Sequence, residues 1–330
     1  MSHDSENRKL PLISIVVPCY NEEAVFPFLR QELVNLADSL KPRYRSEFVL
    51  IDDGSRDSTW DQMLTFASDD HRVAAISLSR NFGHQAALTC GYDLARGDAV
   101  VTLDADLQDS PEVVLDMVSE WEKGADVVFA VRTQREGESA FKIWTARVFY
   151  RLLQFISQVK APPDAGDFRL MSSRSVDALR KLRETHRYLR GMAGWLGFRT
   201  AIVKYRRKPR SLGTTKWPLL RMVRFAMDAI VSFSMLPLRL AYMMAGIVAL
   251  LFSGYLLYAL IRYIFYSEGF VTGWSSLIAA IIVLGVLNLL CLGIIGEYIG
   301  RIYEQSKDRP LYLVRQIWGR PDPSSESGHP

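Results

Sequence analysis

Residues 237–300 of this 330-residue chain are nearly free of charge, and that stretch divides the molecule. From Pro237 to Phe265 apolar residues dominate, interrupted by Arg239 near the start and Arg262 near the end. Trp274 to Ile299 forms a second run, with Glu297 close to its end. A bilayer core of roughly 30 Å is crossed by about 20 helical residues, so each run is long enough to span it. Length and lack of charge argue against a buried hairpin of a soluble protein. Gly246, Gly254, Gly285, Gly293 and Gly296 permit close packing of two such helices. The linker Tyr266–Gly273 carries only Glu268, whereas Arg221, Arg224 and Arg239 flank one outer end of the pair and Arg301, Lys307 and Arg309 the other. The positive-inside rule then places both termini in the cytoplasm, as in a multi-pass protein of the cytoplasmic membrane with transmembrane helices at 237–265 and 274–300.

The first half alternates short β-type runs with helical patterns. Strands are expected at Leu12–Val17, Glu47–Ile51, Val73–Leu78, Ala99–Leu103 and Asp126–Val131, with helices from about Glu22 to Leu40, from Ser58, from His84 to Ala95, and after Ser110-Pro111-Glu112. In the last, Ser110 suits an N-cap and Pro111 the first helical position. Apolar strands alternating with helices predict an α/β fold with a mostly parallel, Rossmann-like sheet covered on both faces. Ligands in such sheets bind beyond the carboxyl ends of the strands. Five polar motifs fall at those ends: Pro18-Cys19-Tyr20-Asn21-Glu22-Glu23, Asp52-Asp53-Gly54-Ser55, Arg80-Asn81-Phe82-Gly83, Asp104–Asp109, and Arg132. Their register predicts one crevice. No G-x-G-x-x-G follows the first strand, which argues against a dinucleotide-binding domain.

Asp104-Ala105-Asp106-Leu107-Gln108-Asp109 follows the fourth strand. Residues two apart on a strand share a side, so Asp104, Asp106 and Gln108 are expected to aim oxygens at one point. Hard oxygens suit Mg²⁺ or Mn²⁺. Alone, the group reads better as a solvated strand-end turn. Between Arg199 and Arg224 lie nine basic residues and no acidic one. That run, directly before the membrane segment, reads as part phosphate clamp and part lipid anchor, and nucleic acid is the less suitable partner. Segments 141–159 and 217–234 mix apolar and basic residues; the second is read as an interfacial helix, the first as either that or a helix packed on the sheet. Three widely spaced cysteines form no disulfide or zinc pattern. The domain plan is a disordered 1–10, a catalytic domain over 11–210, the clamp and interfacial helix over 211–236, the two spans, and a cytosolic tail over 301–330.

The motif at Val16–Glu23, Asp52-Asp53-Gly54-Ser55 and Asp104–Asp109 resemble the signatures of family 2 glycosyltransferases of the GT-A fold. Arg210-Ser211-Leu212-Gly213-Thr214-Thr215-Lys216 resembles the R-x-x-G-x-[ST]-K element of the dolichol-phosphate mannose synthase branch. With the two spans and Gly296–Arg301, residues 12–315 resemble the bacterial polyprenyl-phosphate glycosyltransferases, GtrB-type bactoprenol glucosyltransferases above all. The resemblance implies that Pro18, Tyr20 and Glu22 line a nucleotide pocket and that Asp53 reads the base. Asp104, Asp106 and Gln108 would serve metal and diphosphate, and Arg210 and Lys216 would bind phosphate. Arg132 and Arg147 would meet the acceptor phosphate. The family's G-F-R motif stands here as Gly166-Asp167-Phe168-Arg169, with Asp167 in place of the expected Gly, open between binding sugar hydroxyls and capping a turn.

The implied reaction is inverting transfer of a hexose, glucose by resemblance, from a UDP-sugar to undecaprenyl phosphate. Mannose, N-acetylhexosamines and amino-arabinose derivatives remain alternatives, as does a GDP donor; homo-oligomer formation is left open. A lipid phosphate is already anionic near neutral pH and needs no general base. A processive polysaccharide synthase is disfavoured by the absence of Q-x-x-R-W.

Overall fold

The computed structural model describes residues 10–132, 162, 165–206, 236–265 and 274–319. It separates into two compact units, residues 1–216 with 309–330, and residues 217–308. The expected interfacial segments 141–159 and 217–234, with Arg147, Arg210 and Lys216, lie outside the described residues.

In the first unit, β1 (Leu12–Cys19), α1 (Phe26–Leu40), β2 (Arg45–Asp52), α2 (Thr59–Asp69), β3 (Val73–Leu78), α3 (His84–Leu94), β4 (Ala99–Thr102), α4 (Val113–Glu122) and β5 (Val127–Arg132) follow the expected alternation. β6 (Ala165–Ser172), α5 (Ser173–Lys181), α6 (Leu189–Trp195), β7 (Thr200–Tyr205) and, after the second unit, β8 (Val314–Trp318) complete it. Among the described residues the sheet has the order β7-β5-β6-β4-β1-β2-β3-β8. β1 pairs in parallel with β2 and β4, β2 with β3, and β5 with β7; β6 runs antiparallel between β4 and β5, and β8 runs antiparallel along β3. The sheet is thus mixed and mostly parallel.

The strands are apolar throughout because both faces are covered. Ile13, Ile15 and Val17 join Leu29 and Leu33 of α1 and Val114 and Met117 of α4 in one core. Val16 faces the other way, so close to α3 that a Cβ on Gly91 would sit 2.1 Å from its Cγ1. α1 buries Phe26, Leu29, Leu33, Leu36, Ala37 and Leu40, the three- and four-residue spacing of a one-sided helix.

Two expectations are corrected. The helix after Ser110-Pro111 begins at Val113, because Ser110 and Pro111 form a turn whose carbonyls accept from the Val113 and Val114 N–H groups at 3.1 and 3.0 Å. The segment after 300 is not only a tail. Its first six residues continue the preceding helix, and β8 joins the sheet formed by residues 12–205. Strand β3 would otherwise present a row of unpaired N–H and C=O groups, which β8 satisfies. Around it, the Leu313 carbonyl accepts from the Ser79 N–H at 2.8 Å, and the Tyr312 hydroxyl donates to Asp93 Oδ2 at 2.8 Å.

The second unit contains α7 (Leu236–Phe265) and α8 (Trp274–Ser306). Large apolar side chains stand exposed on both, among them Leu250, Leu251, Phe265 and Leu289. Among the described residues one stretch, Ala280–Ser306, is long and apolar enough by length and composition to cross a membrane; the apolar stretch in α7, Met243–Tyr255, is shorter.

Candidate active site

The carboxyl ends of β1 to β5 do bring the polar motifs to one edge of the sheet. On the β1–β2 side, two adjacent acids are buried at the end of β2. Asp52 accepts from the Ser55 N–H at 2.9 Å and from the Ser77 hydroxyl at 3.0 Å. Asp53 accepts from the Phe82 N–H at 2.7 Å and the Gly83 N–H at 2.9 Å. Burial raises the Asp53 pKa above the usual carboxylate value against the pull of those two N–H groups. Both Asp53 oxygens are thus engaged in holding the β3–α3 loop. Pro18 pairs with Ile51 in the sheet, Tyr20 is exposed, and the Glu22 N–H donates to the Thr59 hydroxyl at 2.8 Å.

Gly54 sits between these loops with φ +72°, and a Cβ there would lie 2.6 Å from the backbone of Arg80 and Asn81. Ala would face both a left-handed backbone and a backbone clash. Gly54→Ala is expected to destabilise the protein by about 1–3 kcal/mol, read from chemical denaturation. A loss below about 0.5 kcal/mol would show that the two loops are free to separate.

On the β4 side, the strand ends at Thr102, and residues 104–109 form turns rather than an extended run. Leu107 adopts φ 52°, and Asp106 Oδ1 accepts from the Gln108 N–H at 3.1 Å. Strand alternation therefore does not set the directions of Asp104, Asp106 and Gln108, and Gln108 is buried. Among the described residues no three His, Cys, Asp or Glu side chains converge into a ready metal cage.

A different grouping is present. β6 runs antiparallel to β4 with Arg169 opposite Thr102, so Asp167 arrives at the carboxyl end of β4. The Thr102 hydroxyl donates to the Asp167 carbonyl. Gly83 opens α3, and His84, its first residue, places Nε2 3.4 Å from Asp167 Oδ2 and 3.8 Å from Asp104 Oδ1. Arg169 is fully buried; its Nη2 lies 2.9 Å from Asp167 Oδ1, and its Nε donates to the Tyr92 hydroxyl at 3.1 Å. Gln85 donates from Nε2 to Asp167 Oδ2 at 3.1 Å. Burial alone would raise the Asp167 pKa, but His84, Arg169 and Arg190 outweigh it and hold the carboxyl well below the usual range. Burial likewise opposes charge on His84, and Asp167 and Asp104 overcome it, raising its pKa.

Asp104 is the less compensated carboxylate. Burial pushes it up to about 6 despite His84, and the negative charges of Asp167, Asp109 and Asp106 act in the same direction as burial. Arg132, at the end of β5, is held by other partners: its Nη2 lies 3.6 Å from the buried Asp109 and its Nε donates to the Tyr205 hydroxyl at 3.1 Å. Burial opposes its charge, but Asp109 and Tyr205 raise its pKa.

The structure therefore gathers Asp104, Asp167 and Arg132 around one end of the sheet and puts Pro18, Tyr20, Glu22 and Asp53 on its β1–β2 flank. Sequence reasoning did not single out Gln85 or Tyr205, and it quoted Asp109 and Arg169 within motifs without giving either a role. Arg169 carried a signal: an Arg between Phe168 and Leu170-Met171 sits on a buried strand and needs a buried acid.

Residues 14–180 match the family model described as Glycosyl transferase family 2. An uncharacterized glycosyltransferase, YkcC, of Bacillus subtilis (strain 168) is 45% identical over 311 residues, covering 93% of this chain and 94% of that protein. The bactoprenol glucosyl transferase of Shigella phage SfV is 39% identical over 303 residues, covering 92% and 98%. The prophage bactoprenol glucosyl transferase homolog of Escherichia coli (strain K12) is 37% identical over 305 residues, covering 92% and 99%. Among solved structures, a glucosyl-3-phosphoglycerate synthase of Mycobacterium tuberculosis superposes with a TM-score of only 0.45 at 17% identity, covering 67% of this chain and 78% of that one. With acids and the buried Arg169 at the strand ends of a mostly parallel sheet, the family model over residues 14–180 and these near full-length relatives place this chain among the family 2 glycosyltransferases.

Proposed function

We propose that the protein transfers glucose, with inversion, from UDP-glucose to a polyprenyl phosphate such as undecaprenyl phosphate. The observation that carries this reading is the near full-length likeness to proteins named bactoprenol glucosyl transferase, at 37–39% identity. The site supports it chemically. A phosphate oxygen of the lipid attacks the anomeric carbon as the bond from that carbon to the diphosphate breaks, releasing UDP. Such a nucleophile needs no proton removed. It needs its repulsion with the donor screened, which is the work proposed for Arg132 and Arg147 at the acceptor and for Arg210 and Lys216 at the donor phosphates.

Asp104, Asp106 and Gln108 are proposed to hold Mg²⁺ or Mn²⁺. Their oxygens suit a hard cation, and the unbalanced negative charge at Asp104 fits one. A sparse protein donor set leaves room for diphosphate oxygens. When bound, the ion would neutralise charge on the departing diphosphate. Pro18, Tyr20 and Glu22 are proposed to line the nucleotide pocket, with Asp53 acting on the base through the loop it holds. Asp167, fixed and ionised beside Asp104, is proposed to accept hydrogen bonds from sugar hydroxyls.

We further infer two membrane spans with both termini in the cytoplasm. The exposed apolar surface of α7 and α8 and the basic residues outside them support this. The test offers purified full-length protein a panel of labelled UDP- and GDP-sugars with undecaprenyl phosphate. UDP-glucose is expected to label the lipid. Labelling by another sugar would overturn the donor assignment, and UDP release without a labelled lipid would overturn the acceptor.

A further inference from the structure

We propose that Gln85 is a positioning residue for the transfer step, acting through Asp167. The inference rests on the reading that Asp167 meets the sugar. Gln85 is the second residue of α3, and its side chain has two different partners. The amide nitrogen donates to Asp167 Oδ2 at 3.1 Å, and the amide oxygen accepts from the Leu189 N–H at 3.0 Å. A carboxylate can only accept and a backbone N–H can only donate, so these partners fix which end of the amide faces which. Leu189 is the first residue of α6, where an N–H has no partner inside its own helix. Gln85 supplies that partner from 104 residues away in sequence.

The side chain therefore ties three pieces together: the start of α3, the β6 carboxylate, and the start of α6. The α6 tether also matters to Asp167, because Arg190, next to Leu189, is among the charges that keep this carboxyl ionised. Asp167 Oδ1 is taken by Arg169 and Oδ2 by Gln85 and His84. With both oxygens oriented, the lone pairs that remain point in a fixed direction. A site held to within about 0.5 Å keeps its rate, and one left loose loses it.

The experiment is a double-mutant cycle on the full-length protein, assayed with the donor that labels lipid in the panel above. Gln85→Met is expected to lower kcat at least about tenfold while moving the donor KM less than about threefold. Asp167→Asn alone is expected to lower kcat further still. In the Asp167→Asn background, Gln85→Met is expected to add less than about a twofold loss, because the group it orients is already changed. Gln85→Glu supplies the readout that a merely structural role would not move. It keeps an acceptor for the Leu189 N–H and sets a carboxylate against Asp167, so at pH 8 it is expected to be slower than Gln85→Met although its helix tether is intact. Near-wild-type transfer by Asp167→Asn would overturn the reading of Asp167 and this inference with it. Loss in Asp167→Asn with none in Gln85→Met would overturn the inference alone. So would losses that multiply in the double variant, or a Gln85→Glu protein faster than Gln85→Met.

Discussion

Asp104→Asn is expected to abolish transfer, by at least about 100-fold in kcat/KM, while making the metal-free protein more stable at pH 8. The two effects have one cause. In the folded chain the Asp104 carboxyl is pushed from 3.8 to about 6 by burial and by Asp167, Asp109 and Asp106. A carboxyl raised on folding costs nothing below its unfolded value, where it is protonated in both states. The cost grows as pH rises from 3.8 to about 6 and is full above that. Its ceiling is about 3 kcal/mol, reduced by solvent because the side chain is 29% exposed. Asn removes the charge, so with chelator present the variant should melt higher than the parent at pH 8 and match it near pH 4. Divalent metal should stabilise the parent more than the variant. A variant that keeps transfer, or melts lower than the parent at pH 8 in chelator, would contradict the proposed role of this carboxylate.

Arg169→Met is expected to be among the most destabilising single changes in the first unit, by about 3 kcal/mol or more. The guanidinium is fully buried, and its removal takes the partner of Oδ1 from the ionised Asp167 and a donor from the Tyr92 hydroxyl. Equilibrium unfolding in urea would measure the loss. In the Asp167→Asn background the same substitution should cost less than half as much, since no buried charge is then left without its partner. Lys41→Met provides the contrast: Lys41 and Asp38 stand 75% and 61% exposed at 3.7 Å, and its loss should stay within about 1 kcal/mol. Equal losses at the two positions would mean that Asp167 finds another cation when Arg169 is gone.

The five apolar runs were legible as parallel strands because burial on both faces leaves no polar alternation to mistake for anything else. β6 was not, since Asp167 and Arg169 interrupt its apolar run and are compensated only across the sheet. β8, with Arg315 and Gln316 in five exposed residues, carries almost no burial signal; its place is dictated by the open side of β3. The acidic group after β4 was found at the right strand end, but its geometry was read as extended where Leu107 turns the chain. The Asp104, His84 and Asp167 grouping joins residues from three separate elements, and only the antiparallel insertion of β6 reveals it.

The position of β8 in the chain sets an order of events during synthesis. Strands β1 to β7 leave the ribosome before α7 and α8, and the strand that covers β3 is made after both. While the two apolar helices are being made, the nascent sheet carries an uncovered edge of the kind that recruits other chains. Ser79, which leads into the loop held by Asp53, receives its Leu313 partner only at the last stage. The β3 side of the sheet is therefore finished only after both apolar helices have been translated, so a chain cut short between α8 and β8 would carry those helices with its sheet still open at β3.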